Sequence, residues 1–293
     1  MHLHDLSQRL NFKFTIDTQF HPISKCLTES ECSDPEQSQY VLQNKNKVHD
    51  FVNGDITELS NLIVNAMNTN RMEPLLISNN LTEKMFVALN NPSALFIRKF
   101  LEPTTAFKTI LNQMCKRHKI SKNYSIIHFR LGDDELVKHH RNIAKYNRLL
   151  RIIDSNMSEN TYIISDSHEF KNFLRQVRPQ LSNNVISTKP IHLSHSTEND
   201  SEKVIDTLFD FFLLTNAKLI KTYTNYTWVS GFVMWVSLAF GVPYINLNLN
   251  SNPNVKTTHQ TTMYNQQMQP QFTFSKARMT NARKEKPMLF LNK

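Results

Sequence analysis

Apolar and polar positions follow two rhythms along this chain, and each change of rhythm predicts an element. Phe12, Phe14 and Ile16 alternate with polar residues up to Asp17, the two-residue period of a half-buried strand. Leu3, Leu6 and Leu10 before it fit the end of a helix over 2–10, and residues 20–24 read as a turn. Residues 27–50 are polar and predict a loop with one short helix. Ile56, Leu59, Leu62, Ile63 and Ala66 then recur at helical spacing behind Asp55, a good N-cap, so a helix is expected over 56–67. A strand over 74–77, a helix over 82–89 and a break over 100–103 follow. Phe107, Ile110, Leu111 and Met114 predict a helix over 104–118, whose basic end (Lys116, Arg117, His118) complements the helix dipole.

From residue 124 the rhythm becomes regular. Tyr124, Ile126 and Ile127 read as a short buried strand ending in His128, Arg130, Gly132 and Asp133. A helix over 142–153, a strand over 161–165, a helix over 169–177 capped by Asp166-Ser167, and a strand over 184–187 are expected next. A polar loop over 192–203, an apolar helix over 204–217, a strand over 218–221 and a helix over 228–240 complete the series. Such alternation is the signature of parallel βαβ units, so the fold class expected is α/β. The chain divides into a layered unit over 1–120, a second over 121–250, and a polar, basic tail over 251–293, mobile except for a docked apolar segment over 288–291.

Composition narrows the chemistry. The chain has 293 residues, 40% hydrophobic and 20% charged, enough for packed cores. Its net charge of +9 favours anionic partners without choosing among phosphates, nucleic acid and membrane surfaces. Only Gly54, Gly132, Gly231 and Gly241 occur, which excludes both the three-glycine dinucleotide fingerprint and the phosphate-binding Gly-Lys-Ser/Thr loop. A phosphate must therefore be held by side chains and isolated backbone amides. Cys26, Cys32 and Cys115 are odd in number and lack metal spacing, as expected of reduced thiols. The N-terminus has no apolar leader and no segment is long enough to span a bilayer, so a cytoplasmic location without a membrane anchor is expected. His2-x-His4, His139-His140 and His192-x-x-His195 lack full ligand sets, and no metal is expected. The aromatic residues Phe209, Phe211, Phe212, Trp228, Phe232 and Trp235 have helical spacing and are expected in the core rather than on a base-stacking surface. The basic tail makes a nucleic-acid-binding role the second alternative.

Three strand ends carry the candidate chemistry. Arg130 has a planar fork that grips phosphate, Gly132 permits close backbone approach, and Asp133 can orient the arginine or bind a ribose. Ser165-Asp166-Ser167 follows the next strand, and Thr222 to Trp228 (Thr-Tyr-Thr-Asn-Tyr-Thr-Trp) joins a later strand to an apolar helix, offering hydroxyl and amide donors. In parallel strands all three lie on the carboxyl edge of one sheet, where open α/β sheets bind ligands.

His-x-Arg-x-Gly-Asp at 128–133, the strand ending in Ser165-Asp166, an acidic apolar helix, and the hydroxyl-rich junction with Trp228 together resemble the GDP-fucose-dependent fucosyltransferase superfamily. The similarity covers mainly residues 104–245 and is greatest to the α-1,2 branch, related to the α-1,6- and protein O-fucosyltransferases. The resemblance implies a GT-B architecture of two Rossmann-like domains: an N-terminal acceptor-side domain, incomplete here, and a C-terminal nucleotide-sugar domain. It implies inverting transfer of fucose from GDP-fucose to a glycan, without a metal or further cofactor, in keeping with the absence of an Asp-x-Asp motif. Residue by residue, Arg130 would hold the β-phosphate and stabilise the leaving GDP, while His128, Gly132 and Asp133 shape its loop. Asp166 would lie near the nucleoside, and either Asp206 or Asp210 would take the family's acidic role. Thr224, Asn225, Tyr226 and Thr227 would close on the pyrophosphate. The chain departs from the family in carrying Leu131 where a second arginine is common. It also lacks a Gly-Gly-Leu-Gly-Asn-Gln-like loop after a first strand, so a catalytically inactive nucleotide- or glycan-binding relative is the alternative. Asp17 and His21, the acid–base candidates of the N-terminal half, are expected to be structural.

Overall fold

The computed structural model describes residues 7–8, 13–17, 22–28, 39–40, 43–44, 49–52, 56–69, 75–80, 91–132, 143–191, 200–226, 229–248 and 287–291. The expected helix over 82–89, the three histidine pairs, His21, Asp133 and Thr227 lie outside them. The chain forms two compact α/β units, Met1–Glu102 with Tyr264–Lys293, and Pro103–Met263. Each is built on a four-stranded parallel sheet.

In the first unit the strands β1 (Lys13–Asp17), β2 (His49–Val52), β3 (Leu76–Asn80) and β8 (Pro287–Leu291) lie in the order β1-β8-β3-β2. The apolar tail segment is thus a central strand, pairing Leu289 with Thr15 and Phe290 with Ile77. Among the described residues, the longer helices of this unit are α1 (Ile56–Asn68) and α2 (Asn91–Phe100). Leu59 and Ile63 on α1 are fully buried, and Phe96 on α2 meets Phe14 of β1 at 5.5 Å. The tail is therefore not a separate region at this point, because a strand with partners on both sides satisfies its backbone only inside the sheet.

The second unit starts earlier than expected, at Pro103. Helix α3 (Thr105–Arg117) belongs to it because the buried Phe107 packs edge-on against Phe212 at 6.1 Å. Thr104 caps this helix, its hydroxyl accepting from the Phe107 amide at 3.2 Å. The strands β4 (Ser125–Arg130), β5 (Thr161–Ser165), β6 (Leu219–Thr224) and β7 (Tyr244–Asn246) lie in the order β5-β4-β6-β7. An isolated parallel bridge from Val185 to Ile163 extends the sheet beyond β5. The chain runs outward from β4 to β5 through α4 (Ile143–Asn156), then on through α5 (His168–Val177). It returns through α6 (Ser201–Thr215) to the other side of β4 and reaches β7 through α7 (Gly231–Phe240). That reversal falls between the carboxyl ends of β4 and β6, the point where doubly wound sheets take their ligands.

Both faces of this sheet are covered, which is why β4 reads as a continuous apolar run. On one face Ile127, Phe129 and Leu131 pack with Leu149, Ile153, Phe170 and Leu174. On the helix pair α6–α7, Phe211 meets Phe232 and Phe240 edge-on at 5.6 and 6.1 Å. Phe129 is fully buried, with Phe170 at 5.2 Å and Tyr223 at 6.1 Å. Phe129→Ala should therefore cost about 3–5 kcal/mol, read as a lower urea midpoint without a change in slope for the unit that holds it.

Candidate functional site

The carboxyl tips of β4, β5 and β6 meet in one hydrogen-bonded cluster. Arg130 ends β4 opposite Thr224, the last residue of β6, while Phe129 lies opposite Ser165, the last residue of β5. Asp166, one residue beyond β5, accepts from the Arg130 Nη1. It also accepts from the backbone N–H groups of Leu131 at 2.8 Å and Gly132 at 3.1 Å. Asp166 therefore orients the arginine, and its carboxylate lies against the β4 tip. Ser167 caps α5 as expected, accepting from the Phe170 amide at 3.2 Å.

Gly132 lets the chain make that turn. Its φ of +87° lies in the left-handed region, and a Cβ there would come within 2.8 Å of the Tyr226 hydroxyl. From the other side, the Asn225 amide donates to the Arg130 carbonyl at 3.0 Å, and the Asn225 side chain donates to the Leu131 carbonyl. The Tyr226 ring centroid lies 5.9 Å from the Arg130 guanidinium carbon, and the Tyr226 amide donates to Thr224 Oγ1 at 3.1 Å. The guanidinium thus lies between a carboxylate and the electron-rich face of an aromatic ring.

Strand β6 runs to Thr224 rather than stopping at Lys221, so Thr222 and Thr224 are strand residues, and α7 begins at Gly231 rather than Trp228. Thr222 is fully buried and meets His128 Nδ1 at 3.2 Å. Burial pushes His128 down to about 4, with Asp166 opposing and Arg130 reinforcing the shift, so its ring is neutral at pH 7. Asn248, which the sequence pattern did not single out, locks the tip of β6 by accepting from the Thr224 amide at 3.0 Å and donating to the Thr224 carbonyl.

The two α6 acids serve a different segment. Asp206 accepts from the Lys189 amide at 2.7 Å, and the buried Asp210 accepts from Thr188 Oγ1 at 2.8 Å. The buried Lys171 donates to the Thr188 carbonyl and hydroxyl. Burial raises Asp210 to about 7, against the pull of Lys171 and the Thr188 hydrogen bond. The two acids hold residues 188 and 189, Thr207 holds Ile191, and neither acid hydrogen-bonds to the β4 tip. The signal for this buried network was Lys171 itself, a lysine between Phe170 and Leu174 on an otherwise apolar helix face.

The structure therefore brings together His128, Arg130, Gly132, Asp166, Thr224, Asn225 and Tyr226. It places Asp206 and Asp210 at the neighbouring 188–191 segment, and Asp17 at the end of β1 in the other unit. Among the described residues, no group of three or more His, Cys, Asp or Glu side chains is arranged to hold a metal. Nor is any described helix long and apolar enough to cross a membrane.

No protein-family model matches the chain, and no curated protein matches it. Among solved structures it is similar to the NodZ α-1,6-fucosyltransferase co-crystallised with GDP, at 14% identity and a TM-score of 0.37, covering 54% of this chain and 49% of that one. The chain thus spans about half the length of that neighbour. It is also similar to selenomethionine fucosyltransferase NodZ from Bradyrhizobium, at 10% identity and a TM-score of 0.48, covering 83% of this chain and 88% of that one. Neither is of the α-1,2 type, and at such identities and TM-scores neither likeness decides this chain's activity.

His128 links the site to pH. Its folded value of about 4 lies below the ordinary 6.5, so its contribution to stability is present above pH 6.5 and is lost as pH falls toward 4. Asp210, raised to about 7, acts in the opposite sense across much of the same window, so a comparison of variant with wild type isolates the histidine. His128→Asn, which keeps a polar partner for Thr222 but does not titrate, should gain about 3 kcal/mol on wild type between pH 7 and pH 4. Urea midpoints at both pH values measure the gain.

Proposed function

We propose that this chain is a GT-B-type glycosyltransferase that transfers fucose from GDP-fucose to a glycan acceptor with inversion. The observation that carries the reading is the position of Arg130, a preoriented guanidinium at the switch point of a doubly wound sheet. The His128-x-Arg130-x-Gly132-Asp133 motif and the GDP held by the NodZ neighbour agree with a nucleoside diphosphate as the group recognised.

In the reaction, the bond from the anomeric carbon to the β-phosphate oxygen breaks and its electron pair leaves with GDP. The acceptor hydroxyl bonds to the opposite face of the same carbon, and its proton passes to a base. Negative charge grows on the departing diphosphate, where Arg130 stabilises it more in the transition state than in the ground state. Asp166 and the Tyr226 ring hold the guanidinium plane, so little reorganisation is needed as that charge develops. Asn225 and Tyr226 lie beside Arg130 on the loop that would close on the diphosphate. On this reading the arginine does the work that a divalent ion does elsewhere.

One observation favours a second reading, a relative that binds nucleotide or glycan without turnover. Asp166 already satisfies two amides and a guanidinium nitrogen that a phosphate would otherwise use.

GDP should raise the melting temperature of the protein, and ADP and UDP should raise it less. Arg130→Ala, compared with its own ligand-free melting temperature, should lose that shift. Transfer of labelled fucose from GDP-fucose, undiminished by EDTA, distinguishes the enzyme from the silent relative. Equal shifts from all three nucleotides, or none, would refute the donor.

A further inference from the structure

A cavity of about 190 Å³ opens beside the outer edge of the second unit's sheet, lined by Arg117, His118, Lys119, Arg175, Ser182 and Asn183 among others. None of its lining residues is a carboxylate. It is bounded by the C-terminal end of α3, by Arg175 on α5 and by the segment that bridges Ile163 of β5 at Val185 and runs on to Ser187, and none of its lining residues belongs to the Arg130 cluster.

Three features distinguish this cavity from a solvated basic surface. The first is Arg175, which is half-buried and fixed: its Nη2 donates to the Val185 carbonyl at 3.0 Å and its Nη1 to Asn172 Oδ1 at 3.4 Å. Among the described residues no carboxylate pairs with it, nor with Arg117 or Lys119. A guanidinium taken partly out of water and held by neutral acceptors alone is short of a counter-charge.

The second is Lys119. Helix α3 ends in a Schellman turn, the Ile120 amide donating to the Cys115 carbonyl at 2.9 Å. Lys119 occupies the left-handed position of that turn with φ +52°, the position that glycine fills at least cost. A lysine thus stands, at a backbone cost of about 1 kcal/mol, at a position that lines the cavity.

The third is His118, which joins the same lining and stacks on Phe209 at 5.7 Å. Burial and the neighbouring Arg117 hold it below its ordinary range. Asp206, which opposes that shift, is committed to the Lys189 amide. Three cationic side chains thus line this cavity, and among the described residues Asp206 is the one carboxylate that acts on His118, from outside the lining.

We propose that this cavity is a second anion site, separate from the strand tips, for a small phosphate or sulfate ester. Its volume falls below the 300–1,000 Å³ or so of pockets that enclose whole drug-sized ligands, so it takes a charged head group with about one sugar ring rather than a nucleotide. Arg175 meets the oxyanion as a fixed fork, Arg117 and Lys119 close over it, and Ser182 and Asn183 offer neutral donors to the carrier.

Calorimetric titrations of the full chain in 0.15 M salt test this, with glucose 6-phosphate and glucose 6-sulfate as probes and glucose as the neutral control. At least one ester should bind and glucose should not, and the better ester identifies the oxyanion. The double variant Arg117→Ser/Lys119→Gly should weaken ester binding at least about tenfold while folding normally, because glycine suits the left-handed turn. Arg130→Ala should bind the ester as wild type does. The proposal is overturned if neither ester binds at millimolar concentration, if the double variant binds unchanged, or if Arg130→Ala abolishes binding.

Discussion

One carboxylate, Asp166, accepts from the guanidinium of Arg130 and from two successive backbone amides, and the tips of β4 and β5 are joined through it. A partly buried charge is held only where partners replace the water it has lost, and Asp166 has three. The consequence reaches beyond the pair. The chain after Arg130 must turn back so that the Leu131 and Gly132 amides face the carboxylate, which imposes the left-handed backbone at Gly132 and brings Tyr226 against it. Asn225 closes the arrangement from β6 through the Arg130 and Leu131 carbonyls. Three strand ends are thus stitched into one structure around a guanidinium that cannot swing freely.

The parallel sheet makes that stitching possible. Because β5 and β6 flank β4 and all three run the same way, their last residues arrive at one edge within a single pairing register. With four glycines in the whole chain, no glycine-rich loop is available to wrap a phosphate in backbone amides. Recognition falls to side chains, and a side chain recognises well only when something else fixes it. Asp166 and Tyr226 supply that constraint at the carboxyl edge. Val185 and the left-handed turn at Lys119 supply it for the basic cavity beside β5.

Much of this was legible from residue patterns. The buried run Tyr124–Ile127, the Thr161–Ser165 strand, the Ser167 cap and the apolar α6 helix all follow from spacing, because an element buried on both faces leaves a long apolar signature. His49–Val52 and Asn91–Phe100 were missed for the opposite reason: each is short, and their polar residues mask the period. Met288 and Leu289 stood out as a docked segment, but its place between β1 and β3 depends on pairing across more than 200 residues, which no local pattern carries. The partners of Asp166 were also hidden. A Ser-Asp-Ser run before a helix reads as a cap, and only the register of β4 against β5 reveals that the middle residue faces an arginine 36 positions earlier.

The central claim, that the Arg130–Asp166 cluster is where a nucleoside diphosphate binds, meets its most direct test in protein labelled with ¹⁵N only at glycine. The chain has four glycines, so the spectrum contains four amide signals, and Gly132 is assigned by its absence from Gly132→Ser protein. The account predicts that GDP moves the Gly132 signal along a saturable curve while that of Gly241, at the far end of α7, stays in place. Saturable binding of GDP that leaves Gly132 unmoved would contradict it.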